Sequence, residues 1–162
     1  MIKSYAKINL FLRVLKKIKG LHNIQSSIML LDLFDSISVK RKKKKDNIKF
    51  IGKFQKNISK NSNTISKSLY LLRKHDLIDE KKRYQIIINK KIPVYSGLGG
   101  GTSNAVFLIK HFLKNKLNEM QLRIFEKKIG SDFRLFFFDH SFQKNLKKIS
   151  KFKKKYNFYF VL

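Results

Sequence analysis

The sequence has no cysteine, a single proline and only ten acidic residues among 162. Without cysteine the chain can form no disulfide framework, zinc-thiolate site or thiol nucleophile. Long apolar runs are also missing: the longest, 105–109 and 158–162, have five residues each, against the roughly 18 that a membrane-spanning helix needs. The first residues show no apolar segment followed by a small-residue cleavage site. These absences favour a cytoplasmic protein without a membrane helix.

Positive charge is abundant, because 38 basic residues stand against the ten acidic ones and give a net charge of +28. A hydrophobic content of 43% excludes a wholly disordered polycation. The basic residues occur in every segment, with local maxima at 40–45 and 151–155. This spread favours a general surface bias over a selected polyanion-binding face. A non-specific nucleic-acid-binding protein remains an alternative.

Apolar and polar residues alternate near the start of the chain, with the apolar set at Ile8, Leu10, Leu12 and Val14. This period of two predicts a strand over about 7–15 whose apolar side chains face a core. Residues 16–20 are typical of a hairpin turn and 26–31 of the returning strand. Residues 36–40 and 48–51 alternate again and are predicted to pair with each other across the lysine-rich loop. The opening half is therefore predicted to be antiparallel β structure.

The period changes to that of helices after Asn63, a candidate N-cap. Helices are predicted over 63–74, from Thr102 or Ser103 to about 114, and over 119–129, the last with a capping box and a terminating Gly130. A strand is predicted over 84–88. The apolar run 133–138 fits a buried helix or a strand equally well. Residues 144–155 are predicted to be a solvated basic stretch, and 156–162 a strand.

A glycine-rich segment, GLGGGTSN at 97–104, lies between a predicted strand and a predicted helix. The N–H groups and the dipole of a helix start favour an anion, and glycines allow the main chain to approach phosphate oxygens closely. Neither the Walker nor the Rossmann spacing matches. A purely structural turn is the alternative. The density of glycines and the two hydroxyl residues favour a phosphate site formed by Gly97, Leu98, Gly99, Gly100, Gly101, Thr102 and Ser103.

Asp132 precedes a strongly apolar run, so burial of its carboxylate is expected. A buried carboxylate needs a cationic partner, and Lys7, in an apolar strand and outside the basic runs, is the natural candidate. In such a pair Asp132 can act as the base toward a hydroxyl, while Lys7 balances developing negative charge. A structural ion pair, or two separate exposed charges, remains the alternative.

Three segments, SYAKINLFL at 4–12, IPVYSGLGGGTSNA at 92–105 and GSD at 130–132, resemble the GHMP kinase superfamily in order and approximate spacing. Within it they are most similar to kinases that act on a cytidine-diphosphate-linked methylerythritol in non-mevalonate isoprenoid synthesis. The resemblance implies an α+β fold, related to the second domain of ribosomal protein S5, with a mixed or antiparallel sheet and helices packed on one face. It also implies phosphoryl transfer from ATP with Mg²⁺.

The resemblance also assigns residue roles. Lys7 and Asp132 match the catalytic pair, and 97–103 the phosphate loop, with Ser103 as a contact to magnesium or phosphate. Asn63 and Lys90 align near the nucleotide base. Asn9 and His22 match the acceptor side, where His22 would contact the cytidine end; an ordinary turn histidine is the alternative there.

Two departures from the family pattern concern Leu21 and Arg134. Leu21 replaces an aromatic ring that could stack on cytosine, so altered base recognition is expected. Arg134 is a cation two residues after the proposed base, and it either pairs with Asp132 and lowers its basicity or points away.

The resemblance divides the chain into an ATP-binding domain over 1–155 and, over 156–162, the first strand of a C-terminal domain that the sequence does not contain. A separate C-terminal half is therefore a candidate partner. An inactive remnant that binds ATP without turnover is a further alternative.

Overall fold

One mixed sheet and three α-helices form the protein, according to a computed structural model that describes residues 1–18, 21–56, 58–59, 62–113, 117–145, 148–152 and 159–160. The described strands are β1 (Ile2–Ile18), β2 (Leu21–Lys42), β3 (Asn47–Ile51), β4 (Arg83–Asn89), β5 (His140–Gln143) and β6 (Ile149–Lys151). The helices are α1 (Thr64–Lys74), α2 (Gly100–Phe112) and α3 (Glu119–Ile129), followed by a 3₁₀ helix over Phe133–Phe137.

The strands are ordered β3-β4-β2-β5-β6, and β1 pairs with β2. Helix α1 packs on the sheet through Ile65 and Leu69, which contact Ile37 and Ile86, while α3 inserts Phe125 against α1 and α2. The predicted α+β class and mixed sheet are confirmed. Within the described residues, no helix is long and apolar enough to cross a membrane.

The β1–β2 hairpin is much longer than predicted. The expected strands 26–31 and 36–40 are parts of the single strand β2, and residues 16–18, predicted as a turn, belong to β1; residues 19–20 lie outside the described part. Leu12 and Val14 are 56% and 59% exposed, so the prediction that they face the core was wrong. The register of β1 shifts between Asn9 and Phe11, and its contacts with the core clusters come from earlier residues.

The predicted pairing of 48–51 with 36–40 was also wrong, because β4 lies between them. Ile37 of β2 pairs with Ile88 of β4 in the antiparallel sense, and Ile48 of β3 pairs with Ile86 in the parallel sense. The reason is the helix α1 that connects β3 to β4, since a helical crossover returns the chain parallel to the strand it left.

Helix boundaries follow the predicted caps. The Oδ1 atom of Asn63 accepts the N–H groups of Ile65 and Ser66, and the side chains of Asn118 and Gln121 cap α3 reciprocally. Helix α3 ends at Gly130 as predicted. Helix α2 begins at Gly100 rather than at 102 or 103, so two glycines form part of its first turn.

The region after Asp132 holds structure that the pattern did not resolve. The run 133–138 is mostly the 3₁₀ helix, and β5 pairs with β2 over Ser26–Met29. Strand β6 lies inside the predicted basic stretch 144–155, although Ser150 and Lys151 are exposed. The strand predicted for 156–162 falls largely on residues outside the described part.

Candidate active site at the start of α2

The glycine turn that precedes α2 depends on left-handed backbone and close packing. Gly97 and Gly99 have φ angles of 77° and 71°, a region that L side chains rarely adopt. A Cβ atom at Gly99 would lie 2.7 Å from Cζ of Phe136 and 3.2 Å from Cγ of Lys7. The glycine therefore allows the turn to approach both β1 and the 3₁₀ helix that follows Asp132.

The N-terminus of α2 is suited to an anion. Its N-cap is Gly99, which has no side chain to accept the first N–H groups of the helix. These groups carry the positive end of the helix dipole. A cavity of about 490 Å³ opens over this turn, within the range of about 300–1,000 Å³ typical of ligand sites. Its lining includes Gly97, Gly99, Gly100, Gly101, Thr102, Asn63, Thr64, Lys90, Asn104 and Asp132.

Asp132 lines this cavity, and Lys7 lies next to Asp132. The Nζ atom of Lys7 lies 3.5 Å from Oδ2 of Asp132 and donates a 2.7 Å hydrogen bond to Oδ1 of Asn9. The lysine side chain is 9% exposed and the aspartate side chain 36%. The burial expected for Asp132 was wrong in degree, because Phe133 and Phe136 occupy the buried positions after it. Its carboxylate faces the cavity and can reach a ligand there.

Arg134 points away from Asp132. Its Nε atom lies 3.1 Å from Oε2 of Glu126, and its Nη1 atom 3.1 Å from Oε2 of Glu119. Both carboxylates belong to α3. Of the two placements left open by the sequence, the structure therefore has the one in which the arginine is paired elsewhere.

Strand β1 is bonded directly to the glycine turn and to α2. The N–H of Lys7 donates to the carbonyl of Leu98 at 2.9 Å, and Oγ of Ser4 donates to Oδ1 of Asn104 at 2.8 Å. Ser103 is fully buried, and its hydroxyl donates to the carbonyl of Tyr5 at 2.6 Å. The hydroxyl of Ser103 is therefore bonded to β1, and the contact to magnesium or phosphate stays a prediction. Leu98 contributes its carbonyl and packs its side chain against the core.

Asn63 and Lys90 both line the cavity, as their predicted proximity to a nucleotide requires. The side chain of Asn63 also caps α1. The ammonium of Lys90 is buried and hydrogen-bonded to the carboxylate of Asp35, so it does not extend toward a base. Asp35 was missed by sequence reasoning, although a carboxylate within the apolar stretch 28–37 was a usable signal.

The two residues predicted on the acceptor side lie along the hairpin. Asn9 is two residues after Lys7 in β1, and its Nδ2 atom donates to Oγ of Ser26. His22 lies near the far end of the hairpin, where its backbone pairs with Lys17. Asn9 therefore adjoins the Lys7–Asp132 pair, whereas His22 is 13 residues after Asn9 in the sequence, near the far end of the hairpin.

Lys110 of α2 is a further cation that the sequence did not indicate, and it contacts the 3₁₀ helix. Its ammonium donates to the carbonyl of Phe136 at 2.7 Å and lies over the rings of Phe107 and Phe137. Partial desolvation of its ammonium lowers the pKa of Lys110, and the charge of Asp139 partly opposes that shift. The contact holds the 3₁₀ helix, and with it the segment that begins at Asp132, against α2.

A magnesium ion that arrives with a nucleotide fits this donor set. Among the described residues no cluster of three or more candidate metal-ligating side chains occurs. Mg²⁺ in nucleotide sites is bound by phosphate oxygens, water and one or two carboxylates, so the single carboxylate of Asp132 at the cavity is sufficient. The hydroxyl of Thr102, which lines the same cavity, is a further oxygen donor.

Comparison with known proteins identifies the fold. Residues 63–134 match the family model described as the GHMP kinases N terminal domain. A crystal structure of 4-(cytidine 5'-diphospho)-2C-methyl-D-erythritol kinase superposes with a TM-score of 0.66 at 18% identity, covering 93% of this chain and 54% of that one. The Methanococcus jannaschii mevalonate kinase gives a TM-score of 0.64 at 19% identity, covering 94% and 55%. The fold is that of a GHMP kinase N-terminal domain.

Comparison of sequences gives relatives of higher identity. The 4-diphosphocytidyl-2-C-methyl-D-erythritol kinase of Pelagibacter ubique is 47% identical over 135 residues, which cover 81% of this chain and 47% of the relative. The chain spans about half the length of the curated relatives that it matches.

Proposed function

We propose that the protein is an ATP-dependent kinase that transfers the γ-phosphate to a hydroxyl group of a small molecule. The observation that carries this proposal is the Lys7–Asp132 pair, 3.5 Å apart, beside the glycine-capped start of α2. The helix start supplies donors for phosphate, Asp132 supplies a base that lines the same cavity, and Lys7 supplies a cation next to that base. The fold of GHMP kinases and the names of the relatives support the same reaction class.

In the proposed reaction the N–H groups of the first turn of α2 bind phosphate oxygens. Asp132 accepts the proton of the acceptor hydroxyl while the hydroxyl oxygen forms a bond to the γ-phosphorus. The bond between the γ-phosphorus and the β,γ-bridging oxygen breaks, and ADP is released. The ammonium of Lys7 stabilises the charge on the transferring group. Mg²⁺, when bound, neutralises part of the triphosphate charge, with Asp132 and Thr102 as its candidate protein ligands.

We propose 4-diphosphocytidyl-2-C-methyl-D-erythritol as the acceptor, in isoprenoid synthesis. The support is the name of the 47% identical relative and the position of Asn9, whose amide contacts Lys7 and can orient a hydroxyl beside it. His22 and Leu21, further along the hairpin, are proposed to contact the cytidine end. Leu21 is aliphatic where the family pattern has an aromatic residue, so weaker binding of cytosine is proposed.

The test is phosphoryl transfer followed by ³¹P NMR, with Mg-ATP and one of three acceptors: the cytidine-linked methylerythritol, mevalonate or homoserine. We expect a phosphomonoester product with the first acceptor alone. Lys7→Met keeps the aliphatic stem and should reduce the rate by about 100-fold or more. Lys3→Met, an exposed position on the same strand, is the matched control and should change it less than about twofold.

Two results would refute parts of this proposal. A product formed only with mevalonate or only with homoserine would refute the proposed acceptor and would still support a kinase. Saturable ATP binding without transfer to any acceptor would favour the inactive remnant.

A further inference from the structure

A fully buried ion pair lies beneath the glycine turn and has no part in the reaction described above. Lys90, just after β4, and Asp35, in β2, are 2% and 0% exposed. The ammonium of Lys90 donates to Oδ2 of Asp35. Burying two charges is costly, and apolar residues of similar volume stabilise a fold as well or better. Stability alone therefore does not explain this pair.

The pair has a definite orientation relative to the turn. Oδ1 of Asp35 accepts the N–H groups of Lys91 and Ile92 at 2.7 and 2.8 Å, which fixes the chain where it leaves β4. The ammonium lies on the other side, 3.3 Å from the position of a Cβ atom at Gly100, the first residue of α2. The carboxylate thus holds the backbone, and the cation lies against the helix start.

This orientation is electrostatically unfavourable without a ligand. The N-terminus of a helix carries partial positive charge, so a cation beside it is repelled. A bound anion reverses the balance, because it interacts favourably with the helix dipole and with the ammonium together. If the carboxylate lay beside the helix start and the ammonium lay on the other side, a bound anion would not be attracted by the pair.

We propose that Asp35 and Lys90 form a positioning pair for the phosphate groups of the ligand. Asp35 fixes the segment that leads into the glycine turn and keeps Lys90 charged beside Gly100, so that the turn is preformed for an anion. The identity of the ligand as a nucleoside triphosphate rests on the proposed function, whereas the preformed turn does not.

The test uses the double variant Asp35→Asn, Lys90→Gln. It removes both charges, leaves the net charge unchanged, and keeps an amide oxygen at position 35 for the N–H groups of Lys91 and Ile92. The matched control is Asp79→Asn, Lys82→Gln, which makes the same exchange in an exposed ion pair of 3.6 Å. Two readouts are needed: amide hydrogen exchange without nucleotide, and titration with a fluorescent ATP analogue and Mg²⁺.

We expect the amides of Lys91, Ile92 and Ser103 to exchange about tenfold faster in the double variant, while the amides of α3 keep their protection. Affinity for the ATP analogue should fall about tenfold at a temperature well below melting. The control variant should match the wild type in both readouts.

Three outcomes separate the possibilities. Unchanged exchange and affinity would overturn the proposal. Faster exchange throughout the chain, α3 included, with unchanged affinity of the folded protein would make the pair merely structural and would also overturn it. No binding of the ATP analogue by the wild type would instead refute the proposed function, and exchange at the three amides would then decide the positioning role by itself.

Discussion

Gly97 and Gly99 adopt nearly the same left-handed backbone in different surroundings. Nothing lies within 4 Å of a Cβ atom at Gly97, whereas one at Gly99 would collide with Phe136. The pair therefore separates backbone strain from steric conflict, two effects that a glycine substitution usually mixes.

We predict that Gly97→Ala lowers the free energy of unfolding by about 1–2 kcal/mol, the cost of a left-handed alanine. Gly99→Ala should lose about 1–3 kcal/mol more, because the added methyl group overpacks the contact with Phe136. Urea unfolding of the two variants measures the difference. Equal losses would show that the 3₁₀ helix does not pack on the turn as described.

Gly101 offers the opposite test, because its backbone is helical and the nearest atom to an added Cβ, in Thr64, is 3.8 Å away. Gly101→Ala should raise the free energy of unfolding by about 0.5–1 kcal/mol, since alanine favours the helix. It should also weaken nucleotide binding, because the methyl group enters the cavity. Melting and ATP titration on the same variant check both; unchanged affinity would contradict phosphate approach at this turn.

The sequence predicted some residues of the site better than others. The glycine turn was accessible from composition, and Lys7 from its isolated position in an apolar strand. The pairing of Asp35 with Lys90 and of Lys110 with the carbonyl of Phe136 was not, because these partners are distant in sequence and only the fold brings them together. The contact of the Ser103 hydroxyl with the carbonyl of Tyr5 was not foreseen either, because the two residues are distant in sequence.

At the scale of elements, one ion pair ties α1 to the sheet. Arg73, in the last turn of α1, donates two hydrogen bonds to Asp46, of 2.6 and 3.0 Å, and a third to the carbonyl of Lys82. Burial alone would raise the pKa of Asp46, but the hydrogen bonds from Arg73 and from the N–H of Tyr84 outweigh it and lower that pKa.

A lowered carboxyl pKa predicts a defined pH dependence. The stabilisation by the ionised Asp46 carboxylate is fully present above pH values near 3.8, the pKa of the carboxyl in the unfolded chain. It is lost as the pH falls through the lower pKa of the folded state. Asp46→Asn should cost about 1–3 kcal/mol at pH 7, and its stability should fall less than that of the wild type below about pH 4. Urea unfolding at pH 7 and pH 3 measures both. Asp79→Asn, in an exposed pair, should change little at pH 7, and an equal loss there would contradict the account.

Helix ends were predictable because their caps are local: Asn63, Asn118 and Gly130 each act on residues within one turn. Strand pairing was not, because it depends on which strands the crossovers bring together. The position of β4 between β2 and β3 cannot be read from the alternation of 36–40 or 48–51. Strands β5 and β6 are short, and their basic neighbours concealed the alternation.

At the scale of the whole molecule, the net charge of +28 supports two different kinds of anion binding. A diffuse cationic surface binds nucleic acid through counterion release, and that affinity falls steeply with salt. A site with fixed donors at the start of α2 binds one nucleotide, and its affinity falls much less as the salt concentration rises.

We predict that raising salt from 50 to 200 mM weakens any binding of single-stranded RNA by roughly 1,000-fold or more, and Mg-ATP binding by less than about tenfold. Fluorescence titration of both ligands at the two salt concentrations measures this. ATP binding with the same salt slope as RNA would assign it to the general surface instead of the cavity.

The measurement that tests the central claim most directly is transfer of the γ-phosphate from labelled ATP by the wild type, Asp132→Asn and Asp139→Asn. Asp139 is an exposed carboxylate seven residues further on and serves as the matched control. The account predicts transfer by the wild type and the control, and a rate about 100- to 10,000-fold lower for Asp132→Asn, with the affinity for ATP in the absence of Mg²⁺ within about threefold of the wild type. Undiminished transfer by Asp132→Asn would contradict the role of the Lys7–Asp132 pair.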